Sequence, residues 1–351
     1  MPNAVVDLFC GIGGLTHGLQ CAGLNVVAGV DIEKSCRFAY EHNNTAVFIN
    51  EDVSALSSDV VRAFFPHNTV SILVGCAPCQ PFSKYSTRYR KNGRTGKKWM
   101  LLNNFLDITT DILPDVLSIE NVPNLQHEAI FSDLISALER LGYHVSWQIV
   151  NCPDYGVPQN RKRLVMLASR HGDISLIEPL YTKEQYITVR MAIGDLPPIA
   201  DGEVCVADSL HMASKLSPIN QKRIRQSVPG GTWRDWDDDL VLECHKKGTG
   251  KTYPSVYGRM EWDKPSPTIT TQFYGYGNGR FGHPEQDRAL SLREGAVLQS
   301  FPVDYMFYDE ENVLTKRELA MQIGNAVPVA LGEAIGISIV NHLRDNNIDF
   351  E

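Results

Sequence analysis

Residues 4–14 read Ala-Val-Val-Asp-Leu-Phe-Cys-Gly-Ile-Gly-Gly, an apolar run that stops at a cluster of glycines. The run predicts a buried strand at residues 4–9, and the glycines predict a turn into a helix near residues 14–22. A second apolar run, residues 26–30, ends on Asp31. Strand, glycine turn, helix, strand and acid form the pattern of a nucleotide-binding βαβ unit. The sequence therefore predicts an α/β fold with a Rossmann-like domain.

The glycine pattern favours S-adenosylmethionine over NAD as the cofactor. Thr16 stands where the dinucleotide fingerprint G-x-G-x-x-G has its third glycine. A ligand with a ribose but no phosphate needs only close backbone approach and an acid for its hydroxyls, which Asp31 supplies. A third strand, residues 46–49, leads to Asp52, whose carboxylate we expect at the adenine edge of the ligand.

Cys79 is the predicted nucleophile. It follows the apolar run 70–74 and lies between Pro78 and Pro81, and open α/β sheets build their sites just past the carboxyl ends of their strands. An isolated Cys is more often a small buried hydrophobe, and Cys76-Ala77-Pro78-Cys79 also has the spacing of a thiol–disulfide motif. The complete nucleotide-binding unit before it and the basic segment after it favour the nucleophile.

A thiol nucleophile paired with a methyl donor indicates an unreactive carbon acceptor such as C5 of a pyrimidine, because thiolate addition at C6 makes C5 nucleophilic. Glu120 ends the apolar strand 116–119 at the same sheet edge and is the candidate acid for N3. Arg161 and Arg163 alternate along a strand and so face opposite ways. We expect one to hold the base or its phosphate and the other to support Cys79 and Glu120. Taken alone, surface charges explain these three residues equally well.

The composition describes an ordinary globular protein, with 351 residues, 43% hydrophobic and 21% charged. The net charge of −8 argues weakly against a nucleic-acid partner, but residues 80–100 contain seven cations and no acid. This segment is either a solvated face or a mobile loop that closes on an anionic substrate. The eight Cys have no framework spacing, and no metal site or membrane span is expected, so we expect a cytoplasmic protein.

The chain resembles the bacterial DNA (cytosine-5)-methyltransferases almost end to end, on six motifs in order. The first four are Asp7-Leu8-Phe9-Cys10-Gly11-Ile12-Gly13-Gly14, Pro78-Cys79-Gln80, Glu120-Asn121-Val122 and Gln159-x-Arg161-x-Arg163; the late two are Arg293-Glu294 and Gly324-Asn325. The resemblance implies a Rossmann-like catalytic domain at residues 1–178 and 288–351. From about residue 172 to 286 the apolar periodicity fades and Pro, Gly and aromatic residues become frequent, which predicts a smaller, irregular β-rich domain. The resemblance implies that residues 179–287 form a target recognition domain.

The resemblance further implies a role for each matching residue. Cys79, Glu120, Arg161 and Arg163 would be catalytic. The cofactor, which becomes S-adenosylhomocysteine, would contact Phe9, Gly11, Ile12, Gly13, Gly14, Asp31, Ile32, Asp52, Val53, Pro78 and Asn325. Double-stranded DNA, with the target cytosine flipped out, would contact Gln80, Ser83, Lys84, Arg88, Arg90, Lys91, Arg94, Lys97 and Lys98.

Two alternatives remain open. Relatives that methylate tRNA usually carry a Cys-Phe-Thr tripeptide, which this sequence lacks. A catalytically silent DNA-binding relative would usually have lost one of the six motifs. We expect the protein to act as a monomer, with a restriction endonuclease that acts separately. The recognition sequence cannot be read from the chain, although five arginines of the insert are candidates to read base edges: Arg223, Arg225, Arg234, Arg259 and Arg280.

Overall fold

The computed structural model describes residues 2–78, 96–248 and 250–350, with only the backbone described for residues 96–100 and 251. The chain forms two compact units. The first contains Met1–Tyr155, Lys162–Leu180 and Val327–Glu351, and the second contains Gly156–Arg161 and Tyr181–Ala326. The family resemblance predicts that the chain returns to the catalytic domain at residue 288. Here residues 288–326 belong to the second unit, and the chain returns at Val327.

The first unit is built on a sheet that has seven strands within the described residues. In chain order they are β1 (Asn3–Leu8), β2 (Val26–Asp31), β3 (Val47–Asn50), β4 (Val70–Gly75), β5 (Val116–Asn121), β6 (His144–Asn151) and β8 (Lys162–Ser169). Their spatial order is β3-β2-β1-β4-β5-β8-β6, and only β8 runs antiparallel to its neighbours. The strand order reverses between β1 and β4, which is where doubly wound sheets bind their ligands. The predicted α/β class is confirmed.

Helices alternate with these strands. They are α1 (Gly14–Cys21), α2 (Arg37–Asn43), α3 (Ser58–Arg62), α4 (Gly96–Ile112), α5 (Ala129–Arg140) and α11 (Val329–Asp345). One face of the sheet packs Leu73, Leu117 and Ile119 against Phe105 of α4 and Phe131 of α5. These side chains are almost fully buried, which places the main apolar core on this face.

Glycines bring α11 close to α1. A Cβ atom on Gly18 of α1 would lie 2.3 Å from the Val329 carbonyl oxygen, and one on Gly332 of α11 would lie 3.1 Å from the Leu15 carbonyl oxygen. The two helices therefore meet backbone to backbone, with Leu331 and Ile335 of α11 fully buried. This confirms the expectation that the last helix returns to the first domain.

The apolar residues of segment 54–65 would lie along one side of a helix, which predicts a single helix there, but α3 is shorter. Ser57 caps α3 by accepting a hydrogen bond from the Asp59 amide at 3.2 Å, and the Asp52 carboxylate accepts one from the Ser54 amide at 2.9 Å. The Ser57 side chain thus binds a backbone donor that a longer helix would use internally, and the helix begins only at Ser58.

The second unit has little regular structure. Its elements are β7 (Gln159–Asn160), α6 (Val189–Ile193), α7 (Pro218–Gln226), α8 (Glu243–Lys246), β9 (Ser266–Pro267), α9 (Leu292–Leu298) and α10 (Lys316–Asn325). Helix α9 begins with the predicted capping box, in which Ser291 and Glu294 bind each other's backbone amides at 3.0 and 2.7 Å. Within the described residues of this unit, the two-residue strands β7 and β9 pair to form a small sheet.

The prediction of a β-rich insert is therefore wrong, because arginine side chains bind carbonyls that a sheet would otherwise pair. Arg259 is 5% exposed and donates to the carbonyls of Ile224, His283 and Gln286 at 2.8–3.1 Å. Arg288 forms a bidentate ion pair with Glu294 at 2.6 and 2.8 Å, with both side chains 1% exposed.

One described segment is long and apolar enough to cross a membrane. It covers α10 and α11, Lys316–Asp345, but 72% of its most apolar window is buried in the fold. Burial of this kind is typical of the core helices of water-soluble proteins.

Candidate active site

Glu120 is held at the carboxyl end of β5 by two neighbours from the same unit. The Arg163 Nε atom lies 2.7 Å from its Oε1 atom, and the Cys76 thiol donates to its Oε2 atom at 2.8 Å. Because β8 runs antiparallel to β5, the first residues of β8 reach the edge where β5 ends, which explains the contact of Arg163. With Glu120 2% exposed, the ion pair is a largely buried one.

The segment that leads to Cys79 is fixed by backbone contacts. The Cys76 amide donates to the Leu8 carbonyl at 3.3 Å, and the Asn121 side chain donates to the Ala77 carbonyl at 3.0 Å. The ends of β1, β4 and β5 are thereby connected. Pro78 is the last described residue before Cys79, so the structure gives the position of the residue next to the predicted nucleophile.

The predicted nucleophile and most of the predicted DNA contacts lie outside the described residues. These are Cys79, Gln80, Ser83, Lys84, Arg88, Arg90, Lys91 and Arg94. Lys97 and Lys98 lie in the first turn of α4, where the backbone is described and the side chains are not. The roles proposed for all of them remain predictions.

A cavity of about 360 Å³ opens beside this edge, within the size range of small-molecule sites. Six predicted cofactor residues line it, namely Phe9, Asp31, Ile32, Asp52, Val53 and Pro78. Two further lining residues, Ser54 and Leu101, were not predicted. Ser54 directly follows Asp52-Val53 in sequence, and this adjacency could have identified it as a lining residue. Leu101 carries no such signal, because only the fold brings α4 to the cavity.

The glycine turn shapes the cavity without lining it. Gly11 and Gly13 have φ angles of 52° and 86°, and Phe9 has φ 64°, a left-handed conformation that a bulky residue adopts only under constraint. The Gly11 amide donates to the Asp31 carboxylate at 2.9 Å. Gly11, Ile12, Gly13 and Gly14 are not among the lining residues, and their contacts with the cofactor remain predictions.

The lining chemistry fits a nucleoside without phosphates. Phe9, Ile32 and Leu101 supply apolar surface, and the side chain of Ile32 is 67% exposed. Asp31 and Asp52 supply carboxylates, and the described lining contains no cation. Burial raises the pKa of Asp31, because desolvation penalises its charge. Two acceptor groups without a cation suit ribose hydroxyls and a positively charged ligand better than a pyrophosphate.

Arg161 and Arg163 belong to different units. Arg161 is 4% exposed and donates to the carbonyls of Ile269 and Gly324 at 2.9 and 3.4 Å. Asn325, the last residue of α10, is exposed and does not line the cavity. A catalytic role for Arg161 and a cofactor contact for Asn325 remain predictions.

Burial and contacts separate the five arginines of the insert. Arg259 binds backbone carbonyls in the core of the second unit, Arg280 donates to the Gly231 carbonyl at 2.5 Å, and Arg223 donates to the Leu240 carbonyl at 2.9 Å. Arg225 and Arg234 have exposed side chains. The Arg234 guanidinium lies 5.4 Å from the ring centroid of Trp233, a geometry that holds the cation at the surface.

Comparisons with known proteins agree with the geometry. The family model of C-5 cytosine-specific DNA methylases matches residues 3–341. The Type II methylase M.HgiDII of Herpetosiphon aurantiacus is 54% identical over 98% of this chain and 97% of its own length. The Type II methyltransferase M1.HphI of Haemophilus parahaemolyticus is 31% identical over 97% of this chain and 87% of its own.

A solved structure has the same fold. It is a DNA modification methyltransferase encoded within an Escherichia coli prophage, which superposes with a TM-score of 0.75 at 22% identity and covers 97% of this chain and 99% of its own. The family match over nearly the whole chain confirms the resemblance inferred from the six motifs. The chain belongs to the C-5 cytosine-specific DNA methylases and is a DNA (cytosine-5-)-methyltransferase.

Proposed function

We propose that the enzyme methylates C5 of a cytosine flipped out of a short specific duplex sequence, through a bond between the Cys79 sulfur and C6 of the base. The observation that carries this proposal is the placement of Glu120. Its carboxyl group lies between Arg163 and Cys76 at the end of β5, and Cys79 is three residues after Cys76 in the chain.

The residues act on the base in a fixed order. The Cys79 thiolate adds to C6, and the electrons of the C5–C6 double bond make C5 nucleophilic while Glu120 gives a proton to N3. S-adenosylmethionine, when bound, supplies an electrophilic methyl group and leaves as S-adenosylhomocysteine. A base then removes the C5 proton, the C5–C6 double bond re-forms as the bond between C6 and the Cys79 sulfur breaks, and N3 returns its proton to Glu120, so that Cys79 and Glu120 regain their starting states.

Arg163 orients the acid through its short contact with Oε1. A carboxylate has about four acceptor positions. Arg163 and Cys76 therefore leave positions for the N4 amino group and N3 of the base. The cavity lined by Phe9, Asp31 and Asp52 is the proposed cofactor site, since its carboxylates accept hydrogen bonds from ribose and adenine.

Double-stranded DNA is the proposed partner. The basic segment Lys84 to Lys98 would contact its phosphates, and the second unit would supply target recognition. We further propose a cytoplasmic monomer that protects DNA from a separately acting restriction endonuclease. The restriction-modification part of this proposal is supported by the similarity to the Type II enzymes.

Bisulfite sequencing tests the proposal. The chain and its Cys79→Ala variant are expressed in a host that lacks cytosine methylation, and the genomic DNA is sequenced. We expect protected cytosines within one short motif, and none with the variant. Full protection by Cys79→Ala would refute the nucleophile. Soluble, cofactor-binding protein that protects no cytosine would refute DNA as substrate, and sequencing of bisulfite-treated tRNA would then test the RNA alternative.

A further inference from the structure

A second thiol lies beside the predicted catalytic acid. Cys76 carries a half-buried thiol, and its Sγ atom is 2.8 Å from Oε2 of Glu120. The reaction described above uses the Cys79 thiol and assigns no task to Cys76. The contact is nevertheless with the one carboxyl group on which protonation of the base depends.

The backbone around Cys76 is held independently of its side chain. Its amide binds the Leu8 carbonyl, and the next residue, Ala77, is bound by the Asn121 side chain. Neither of these two anchors involves the thiol. The interaction between the thiol and Glu120 can be removed by substitution while the segment keeps its anchors.

The thiol and Arg163 together define the orientation of the carboxyl group. Arg163 engages Oε1 and Cys76 engages Oε2. With one contact alone, the carboxyl group can rotate about its last side-chain bond, because such terminal torsions are broad. The thiol acts on Oε2 through a hydrogen bond and Arg163 acts on Oε1 through its charge, since Oε1 accepts no hydrogen bond from the described residues. Together they restrict the plane of the carboxyl group, and groups that are already positioned cost no reorganisation when the reaction occurs.

We propose that Cys76 is a positioning residue, whose thiol donates a hydrogen bond to Glu120 and holds its carboxyl group in the orientation that meets N3 of the cytosine. This inference rests on the proposed function of Glu120. It predicts that a hydroxyl, which is also a donor, replaces the thiol, whereas a methyl group does not.

Three variants test the proposal. Cys76→Ala removes the donor and Cys76→Ser keeps one. Cys152→Ala is the matched control, because Cys152 is a buried Cys of the same unit that neither contacts Glu120 nor lines the cavity. For each protein we would measure kcat, KM for DNA, the thermal midpoint and the release of tritium from C5 of cytosine in DNA without a methyl donor. This release reports addition at C6 and protonation, separately from methyl transfer.

We expect Cys76→Ala to lower kcat and tritium release by about tenfold, the loss of one hydrogen bond to a charged group, with KM for DNA unchanged. Cys76→Ser should stay within about threefold of the parent enzyme, since its donor is retained. Cys152→Ala should lower the thermal midpoint and leave kcat unchanged. Parent-like kcat and tritium release in Cys76→Ala would overturn the proposal. Equal losses in Ala and Ser that follow the thermal midpoint would also overturn it, because they would show a packing role.

Failure of the proposed function is distinguishable from failure of this inference. The parent enzyme must first release tritium from DNA, and Cys79→Ala must abolish the release. If the parent fails this step, the proposed mechanism is refuted before any Cys76 variant is compared. If Cys76→Ala does not fold, Cys76→Ser decides alone, and a tenfold loss of kcat at an unchanged thermal midpoint refutes rescue by a donor.

Discussion

Asp7 makes a quantitative prediction about stability and pH. It lies in the middle of the sheet on β1 and is 0% exposed. Its Oδ2 atom accepts a hydrogen bond from the Thr16 hydroxyl at 2.8 Å, while its Oδ1 atom has no partner among the described residues. Burial raises the pKa of Asp7 to about 7 from an ordinary value of 3.8, because the charged form is desolvated.

The direction in which stability changes with pH follows from proton linkage. Between pH 4 and 7 the folded protein keeps a proton on Asp7 that the unfolded chain has lost. The contribution of this group to stability is therefore complete below pH 4 and falls by about 1.4 kcal/mol per pH unit as the pH rises. Over the interval between the two pKa values the loss is about 4 kcal/mol, and it stops above pH 7.

The perturbation is Asp7→Asn, which removes the titrating group with little change of volume. The assay is urea unfolding from pH 4 to 8, for the parent and the variant. We expect the variant's stability relative to the parent to rise by up to about 4 kcal/mol between pH 4 and 7 and then to remain constant. An exposed acid, Asp133, gives the matched control variant Asp133→Asn, which is measured over the same pH range. Parallel parent and Asp7→Asn curves over the whole range would refute the reasoning.

Three further predictions concern packing, a buried ion pair and DNA binding. Gly18→Ala should cost about 2 kcal/mol or more, since the new Cβ atom forces two helices apart, whereas Gly248→Ala, which meets nothing within 4 Å, should be neutral; equal urea midpoints would contradict the close packing. Glu294→Gln should cost about 3–5 kcal/mol because Arg288 is left buried without its counter-charge, and a melting curve like that of the parent would contradict this. Arg234→Gln should weaken DNA binding and reduce its salt slope by about one, and an unchanged slope would show that this cation does not contact phosphate.

The periodicity of the sequence was sufficient to predict the sheet. Apolar runs located β1, β2, β4 and β5, because a strand buried on both faces requires such a run. The capping box at Ser291 located the start of α9, because its two hydrogen bonds involve residues three apart. These features are local, and local chemistry is readable from adjacent residues.

Contacts between distant residues were not readable. The alternation of Arg161 and Arg163 predicted opposite directions, but the contact of Arg163 with Glu120 depends on the antiparallel insertion of β8 beside β5. The thiol of Cys76 meets Glu120 across 44 positions of sequence. The insert was predicted to be β-rich from its aromatic residues, but Arg259 and Arg288 satisfy carbonyls there through side chains. Hydrogen bonds from side chains to backbone carbonyls leave no periodic pattern in the sequence.

The return of α11 to α1 has a consequence for biosynthesis. The ribosome makes β1 and α1 first, then the whole second unit, and only afterwards residues 327–345, which cover α1. Until then the nascent catalytic unit exposes the apolar surface that Leu331 and Ile335 later bury. A truncated chain that ends inside the second unit is therefore a substrate for chaperones and proteases. The catalytic unit is complete only after residues 327–345 have been translated. A fragment released before that point would therefore leave DNA unmethylated.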